Sequence, residues 1–217
     1  MKQTFPTHKG ELIVEGPVTA ESLSQLSFDD DLRAFRPPKR QKEALIEISE
    51  IPDGRIIIAR IENDIMGYVT FHPPDCFERW AKGPPELLEL GAIEVSPKVR
   101  GLGVGKKLLQ VAFSDPAMEN HVVIATEYYW HWDLERTGLR VWEYREVMNR
   151  LMSSAGLHIR ETDDEEICSH PANMLTVRYG KNLSQSSIDH FEKILFANSE
   201  RGDCLAGNES RPSKPGN

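Results

Sequence analysis

Apolar and polar positions fall into short blocks whose period switches between about two and nearly four. Residues 10–16 (GELIVEG) read as a short strand, and Thr19 stands where an N-cap belongs before AESLSQL. From Pro38, the stretch KRQKEALIEISEI sets Ala44, Leu45 and Ile48 on one helical stripe, which Pro52-Asp53-Gly54 closes as a turn. Residues 55–62 (RIIIARIE) and 65–71 (IMGYVTF) predict a hairpin joined by the two-residue turn Asn63-Asp64. A proline-rich loop over 72–85, with a short helical turn around CFERWAK, separates the hairpin from a strand at 86–95 (ELLELGAIEV). Helical spacing returns over 102–114, where Val104, Leu108, Val111 and Ala112 share a side, and the β-branched run HVVIAT at 121–126 predicts a buried strand.

Beyond a polar-aromatic stretch at 127–133 (EYYWHWD), residues 140–155 predict a helix with Val141, Tyr144, Val147, Met148 and Leu151 on one face and Gly156 at its C-terminal cap. LHIRET and MLTVRYG supply two more strands, split by the acidic run 163–166, and an amphipathic helix follows at 187–197. The order β-α-α-β-β-β-α-β-α-β-β predicts a single mixed α/β domain, a central mixed sheet with helices on both faces. The expected organisation is an N-terminal extension at 1–9, the domain at 10–180, a C-terminal helix at 181–198, and a Gly/Ser/Pro/Asn-rich tail at 199–217 that is expected to be disordered.

Charge narrows the partners. The chain of 217 residues carries a formal net charge of −8, which argues against nucleic acid and against an acidic membrane surface. The N-terminus lacks an apolar signal core and the longest apolar runs are far too short to span a bilayer, so a soluble protein is expected. Cys76, Cys168 and Cys204 are scattered and odd in number, which fits a reducing cytoplasm, and His131 and His170 have no companion at zinc-ligand spacing, so no metal is expected.

The segment with chemistry in it is the strand at 86–95, the turn Ser96-Pro97-Lys98-Val99, and Arg100-Gly101-Leu102-Gly103-Val104-Gly105 opening a helix. Alternate glycines permit a tight turn and close approach of a ligand, and the free N–H groups of a helix start cradle phosphate oxygens. A Walker A loop is excluded, because Arg100 stands where its first Gly belongs and Lys107 where its Ser or Thr belongs. A dinucleotide GxGxxG is excluded by Lys106 and Leu108. Lys98, Arg100, Lys106 and Lys107 occur between residues 96 and 114 without an acid, a basic patch suited to a phosphate-bearing ligand.

What remains, Arg100-x-x-Gly103-x-Gly105 between a strand and a helix, resembles the pyrophosphate loop of the GCN5-related N-acetyltransferase superfamily, Gln/Arg-x-x-Gly-x-Gly/Ala. The likeness extends over about residues 10–179. It implies the acyl-CoA N-acyltransferase fold, acetyl-CoA as cosubstrate, and a pyrophosphate held by backbone N–H groups of Gly101, Leu102, Gly103, Val104, Gly105 and Lys106, with Arg100 beside them. It also implies pairing of Ile93 and Val95 N–H groups with the pantetheine arm and the thioester carbonyl. A lysine acceptor is mostly protonated at pH 7, so a base is needed. Glu89 matches the family's strand glutamate and by simple alternation shares a face with Ile93 and Val95; Glu94, or no dedicated base, are the alternatives. The family's usual tyrosine acid falls at Met152, leaving Tyr144, Tyr128 or Tyr129 to protonate the thiolate, with Tyr144 the selected candidate.

The fragments ELGAIEVSP, TEYYWHWDL, VWEYR and SHPAN resemble a branch of that family in bacilli whose substrate is AMP-forming acetyl-CoA synthetase. The resemblance implies acetylation of a synthetase lysine, inactivating it during acetoin and acetate use. Tyr128 to Trp132 are either an acceptor groove, with Glu127 and Asp133 drawing in the ammonium, or core. Acetylation of a small amine, and inhibition of the synthetase by a CoA-binding partner without turnover, are the other readings.

Overall fold

A computed structural model describes residues 1–197; the predicted tail at 199–217 lies outside the described residues. The strands are β1 (Lys2–Thr7), β2 (Gly10–Glu15), β3 (Ser27–Phe28), β4 (Arg55–Ile61), β5 (Asp64–His72), β6 (Leu87–Val95), β7 (Val122–Glu127), β8 (His158–Arg160) and β9 (Met174–Tyr179). The helices are α1 (Ala20–Gln25), α2 (Pro38–Glu50), α3 (Val104–Phe113), α4 (Leu134–Thr137), α5 (Val141–Ser153), α6 (Glu165–Cys168) and α7 (Gln185–Ile194). One sheet runs in the order β1-β2-β4-β5-β6-β7-β9-β8, with β3 on β5. Its β6–β7 neighbours are parallel, and the other neighbours along that order are antiparallel. Mixed sheet and two-sided helix cover are as the sequence predicts.

Each face has its own core, because alternate strand residues point to opposite sides. Leu88, Leu90, Val123 and Ala125 pack with Leu108, Val111, Met148 and Met152 of α3 and α5 on one face. On the other face, Ile56, Ile58 and Tyr68 pack with Leu23 and Leu45 of α1 and α2, and Leu87, Val122 and Ile124 pack with Phe191 and Ile194 of α7.

Three local departures from the sequence reading have physical causes. Residues 2–7, expected as an extension, form β1 in full register with β2, from Lys2↔Glu15 to Thr7↔Gly10. The β4–β5 turn falls on Glu62-Asn63, one residue before the predicted pair, because a bulge at Ala59/Arg60 shifts the register and Glu62 takes φ +51°. The acidic run 163–166 is folded: Asp163 and Asp164 pair with Arg79 of the proline-rich loop, and the Asp164 side chain caps α6. Among the described residues, no helix is long and apolar enough to cross a membrane.

Candidate active site

β6 and β7 pair only over Leu87–Glu89 and Val122–Ile124, after which both continue unpaired to each other. The fork opens into a cavity of about 490 Å³ lined from both faces of the sheet. One side of it is the helix-opening loop with α5; the other is the Ala34-Phe35 loop with Tyr128 and His131. The backbone along β6 is set by the ladder to β5. Ser96 N–H bonds to Met66 O, so the hydrogen-bonded pairs that follow are Glu94/Tyr68 and Ala92/Thr70. The intervening Ile93 and Val95 therefore direct their N–H groups away from β5, toward the fork.

A bulge between Thr70 and Phe71 leaves Gly91 as the extra residue of β6. A Cβ on Gly91 would lie 2.2 Å from His72 Nε2, so glycine suits the close approach of that ring. The bulge reverses the side-chain parity. Leu88 and Leu90 before it share the α3/α5 face with Ile93 and Val95 after it, and Glu89 shares the opposite face with Ala92 and Glu94. The expected common face for Glu89, Ile93 and Val95 is thus corrected, since simple alternation fails across an inserted residue.

Both β6 glutamates are buried, and burial pushes both carboxyls above their ordinary range. Glu94 is committed to structure: it accepts from Ala34 N–H at 2.7 Å and from Tyr68 Oη at 2.8 Å, which ties the loop carrying Phe35 to β6. Glu89 sits at the crotch of the fork, just behind the cavity lining, accepting from Thr126 Oγ1 at 2.9 Å with the Glu78 carboxyl as a neighbour. Burial, then the neighbouring Glu89 charge, push Glu78 up to about 7.

Arg100, Gly101, Gly103, Val104, Gly105 and Lys106 line the cavity. Gly103, the N-cap of α3, holds φ +68° and Gly101 holds φ +80°, and a Cβ on either would meet no atom within 4 Å, so conformation and open space make glycine fit here. The first intrahelical donor is Lys107 N–H, bonded to Gly103 O, leaving the N–H groups of Val104, Gly105 and Lys106 without intrahelical acceptors. Leu102 departs from the expected set: its N–H turns back to Val99 O at 3.4 Å and its side chain packs on the core. The basic patch is not bare in three dimensions. Lys98 pairs with Asp29 at 2.6 Å, Arg100 with Asp133, and Lys107 lies 4.3 Å above the Phe5 ring.

Asp133 joins Arg100 to Arg136, whose guanidinium also donates to Asp31 O at 3.1 Å. Asp133 is thus held by two arginines, and Glu127 is buried against Trp132, so neither serves as the expected lure for an ammonium. Trp132 Nε1 donates to Glu127 Oε2 at 3.2 Å, and burial pushes that carboxyl up to about 7. The aromatic stretch divides between core and groove. Trp132 stacks on Tyr144, Tyr128 stacks on the exposed Trp130, and Tyr129 packs on His170 away from the cavity. Tyr144 and Tyr128 line the cavity, with burial raising both phenols, while Met152 is core. Sequence reasoning missed the cofactor-face position of Glu127; the signal available was the parity of β7, which puts Glu127 with Val123 and Ala125. Among the described residues, no three His, Cys, Asp or Glu are grouped to hold a metal.

Sheet, fork and helix-opening loop define an acetyl-CoA-dependent N-acetyltransferase. Residues 25–129 match the Acetyltransferase (GNAT) family, and the chain belongs to it. The chain is 54% identical over 193 residues to the Acetoin utilization protein AcuA of Bacillus licheniformis, covering 88% of this chain and 92% of that one. Identity to AcuA of Bacillus subtilis is 53% over 191 residues, covering 88% and 91%. A crystal structure of an acetoin utilization protein from Exiguobacterium sibiricum superposes with a TM-score of 0.91 at 48% identity, covering 94% of this chain and 97% of that chain. The GNAT domain of S. lividans PAT shares the fold, with a TM-score of 0.50 at 16% identity over 81% of this chain and 95% of that one.

Proposed function

We propose that this chain acetylates a lysine of AMP-forming acetyl-CoA synthetase, inactivating it, as a cytoplasmic control on acetoin and acetate utilization. The observation that supports the reading is the two-sided fork: the helix-opening glycine loop lies on one face of the sheet, and Glu89 lies on the other. A cosubstrate and a protein lysine can then meet from opposite sides. The acetoin-utilization names of the 54% and 53% identical relatives support the physiological setting.

In this reading the backbone N–H groups of Gly101, Gly103, Val104, Gly105 and Lys106 hold the pyrophosphate of acetyl-CoA. Those of Ile93 and Val95 align the pantetheine arm and stabilise charge on the thioester oxygen. Glu89 takes the proton of the acceptor ammonium, and its burial, which raises its pKa, makes it a stronger base than an ordinary carboxylate. Phe35, Tyr128 and His131 line the acceptor side.

The test incubates the purified chain with acetyl-CoA and the synthetase, following thiol release, the acetylated site by mass spectrometry, and synthetase activity. Expected are stoichiometric thiol release, a single acetylated synthetase lysine and loss of synthetase activity. Thiol release with small amines but no acetylated lysine would overturn the protein-acetylation reading. Inhibition that persists without acetyl-CoA would replace it with a binding partner that needs no turnover.

A further inference from the structure

We infer that Glu127 is the acid that protonates the departing CoA thiolate. The inference rests on acetyl transfer from acetyl-CoA and not on the identity of the acceptor. When an amine displaces CoA, the nitrogen lone pair forms the N–C bond and the C–S electron pair leaves on sulfur. A thiolate of ordinary pKa about 8.5 needs a proton at neutral pH. The donor must stand on the cofactor face of the fork, beside the thioester and away from the base.

Glu127 meets these conditions. It ends β7, one arm of the fork, opposite the Ile93 and Val95 arm, and it lines the cavity. The hydrogen bond from Trp132 Nε1 fixes its carboxyl on the α3/α5 face, while Thr126 beside it carries the bond to Glu89 on the other face. The two carboxyls are therefore on opposite faces of the sheet: in this inference one takes the surplus amine proton and the other delivers a proton to sulfur. An ammonium acceptor loses two protons: Glu89 passes the first to water before attack and keeps the surplus one after it, so turnover leaves Glu89 protonated and Glu127 ionised, and exchange with water after product release restores both.

Proton energetics favour Glu127 over Tyr144. A phenol raised by burial above its usual value of about 10 gives its proton to a thiolate uphill, whereas a carboxyl near 7 gives it downhill. Tyr144 of α5 feels the Glu127 charge directly, and the other titratable and charged groups lining the same cavity are Tyr128, His131 and Asp133 of the connector, Glu94 of β6, Lys106 of the loop and Arg150 of α5. Arg100 and Arg136 are both committed to Asp133.

The test follows thiol release from acetyl-CoA against pH with two acceptors, the synthetase and hydroxylamine, the latter an amine already neutral at pH 7. Glu127→Gln keeps an acceptor for Trp132 Nε1. It is expected to lower kcat about 100-fold with either acceptor, to keep acetyl-CoA affinity within about twofold, and to lose the decline in kcat above pH 7. Glu127→Asp is expected to restore that decline at a reduced rate. Glu127→Gln with wild-type kcat and pH profile would overturn the inference, as would loss of the alkaline decline in Tyr144→Phe alone. Activity on hydroxylamine but not the synthetase, with the same Glu127 effects, would leave the inference standing and remove the proposed target.

Discussion

Glu94 accepts from Ala34 N–H and Tyr68 Oη, so both its oxygens are occupied in holding one loop, while Glu89 retains capacity for a proton at the fork. Two carboxylates five residues apart on one face of β6 therefore have different work, and the difference is measurable. Glu89→Gln removes the proposed base but keeps an acceptor for Thr126, so kcat toward the proposed synthetase acceptor should drop by roughly 100–1,000-fold while acetyl-CoA affinity is retained. Glu94→Gln loosens the loop bearing Phe35 and should mainly raise KM for the protein acceptor. Steady-state kinetics on the pair separates the roles; equal losses of kcat in both would contradict the division.

At the scale of elements, the β6 strand, the 96–105 turn and α3 were legible because glycine spacing and a switch of hydrophobic period mark them in the chain. The bulge at Gly91 was not: a single glycine in ELLELGAIEV gives no register, which exists only against Phe71 and Thr70 of β5. The pairing of Arg100 with Asp133 was hidden for the same reason, since the charges are 33 residues apart. β1 was missed because KQTFPT alternates weakly and contains a proline, which an edge strand tolerates. The loop itself supports a sharp test. Gly103→Asp puts a carboxylate at the start of α3, where it suits the helix dipole but must take the left-handed backbone of Gly103, at a cost of about 1–3 kcal/mol, without the extended geometry in which Asp caps a helix. Stability should therefore fall by no more than about 1–3 kcal/mol, while acetyl-CoA affinity falls at least roughly tenfold because the carboxylate occupies and repels the proposed phosphate site. Calorimetric titration alongside a thermal melt checks both halves, and unchanged affinity would refute the loop's role.

Over the whole molecule, ionisable groups fall into two sets with opposite pH consequences. Asp29, Asp133 and Glu15 are held below the usual carboxylate range: their burial opposes this, but hydrogen bonds and charge from Lys98, Arg100, Arg136 and Arg60 outweigh it. The stability they contribute is present above the unfolded pKa and is lost as pH falls through the folded one. Glu127 has the reverse sign. Its folded pKa of about 7 lies above the ordinary value of 4.5, so between those pH values the folded chain holds a proton that the unfolded chain has released. Stability from this group is therefore complete below about pH 4.5 and declines as pH rises toward 7, leaving a buried charge that disfavours folding at pH 8. A proton donor placed in a dry site costs stability at the pH where it works. Glu127→Gln removes the cost, so the variant that impairs thiolate protonation should be more stable than the parent at pH 8, on the order of 1–3 kcal/mol, or several degrees in Tm at roughly 2–4 °C per kcal/mol for a chain of this size. The gain should shrink at pH 5, where the folded carboxyl is already neutral. Melting curves of both proteins at the two pH values decide it: a Tm difference independent of pH would mean that Glu127 does not titrate in the folded protein between them.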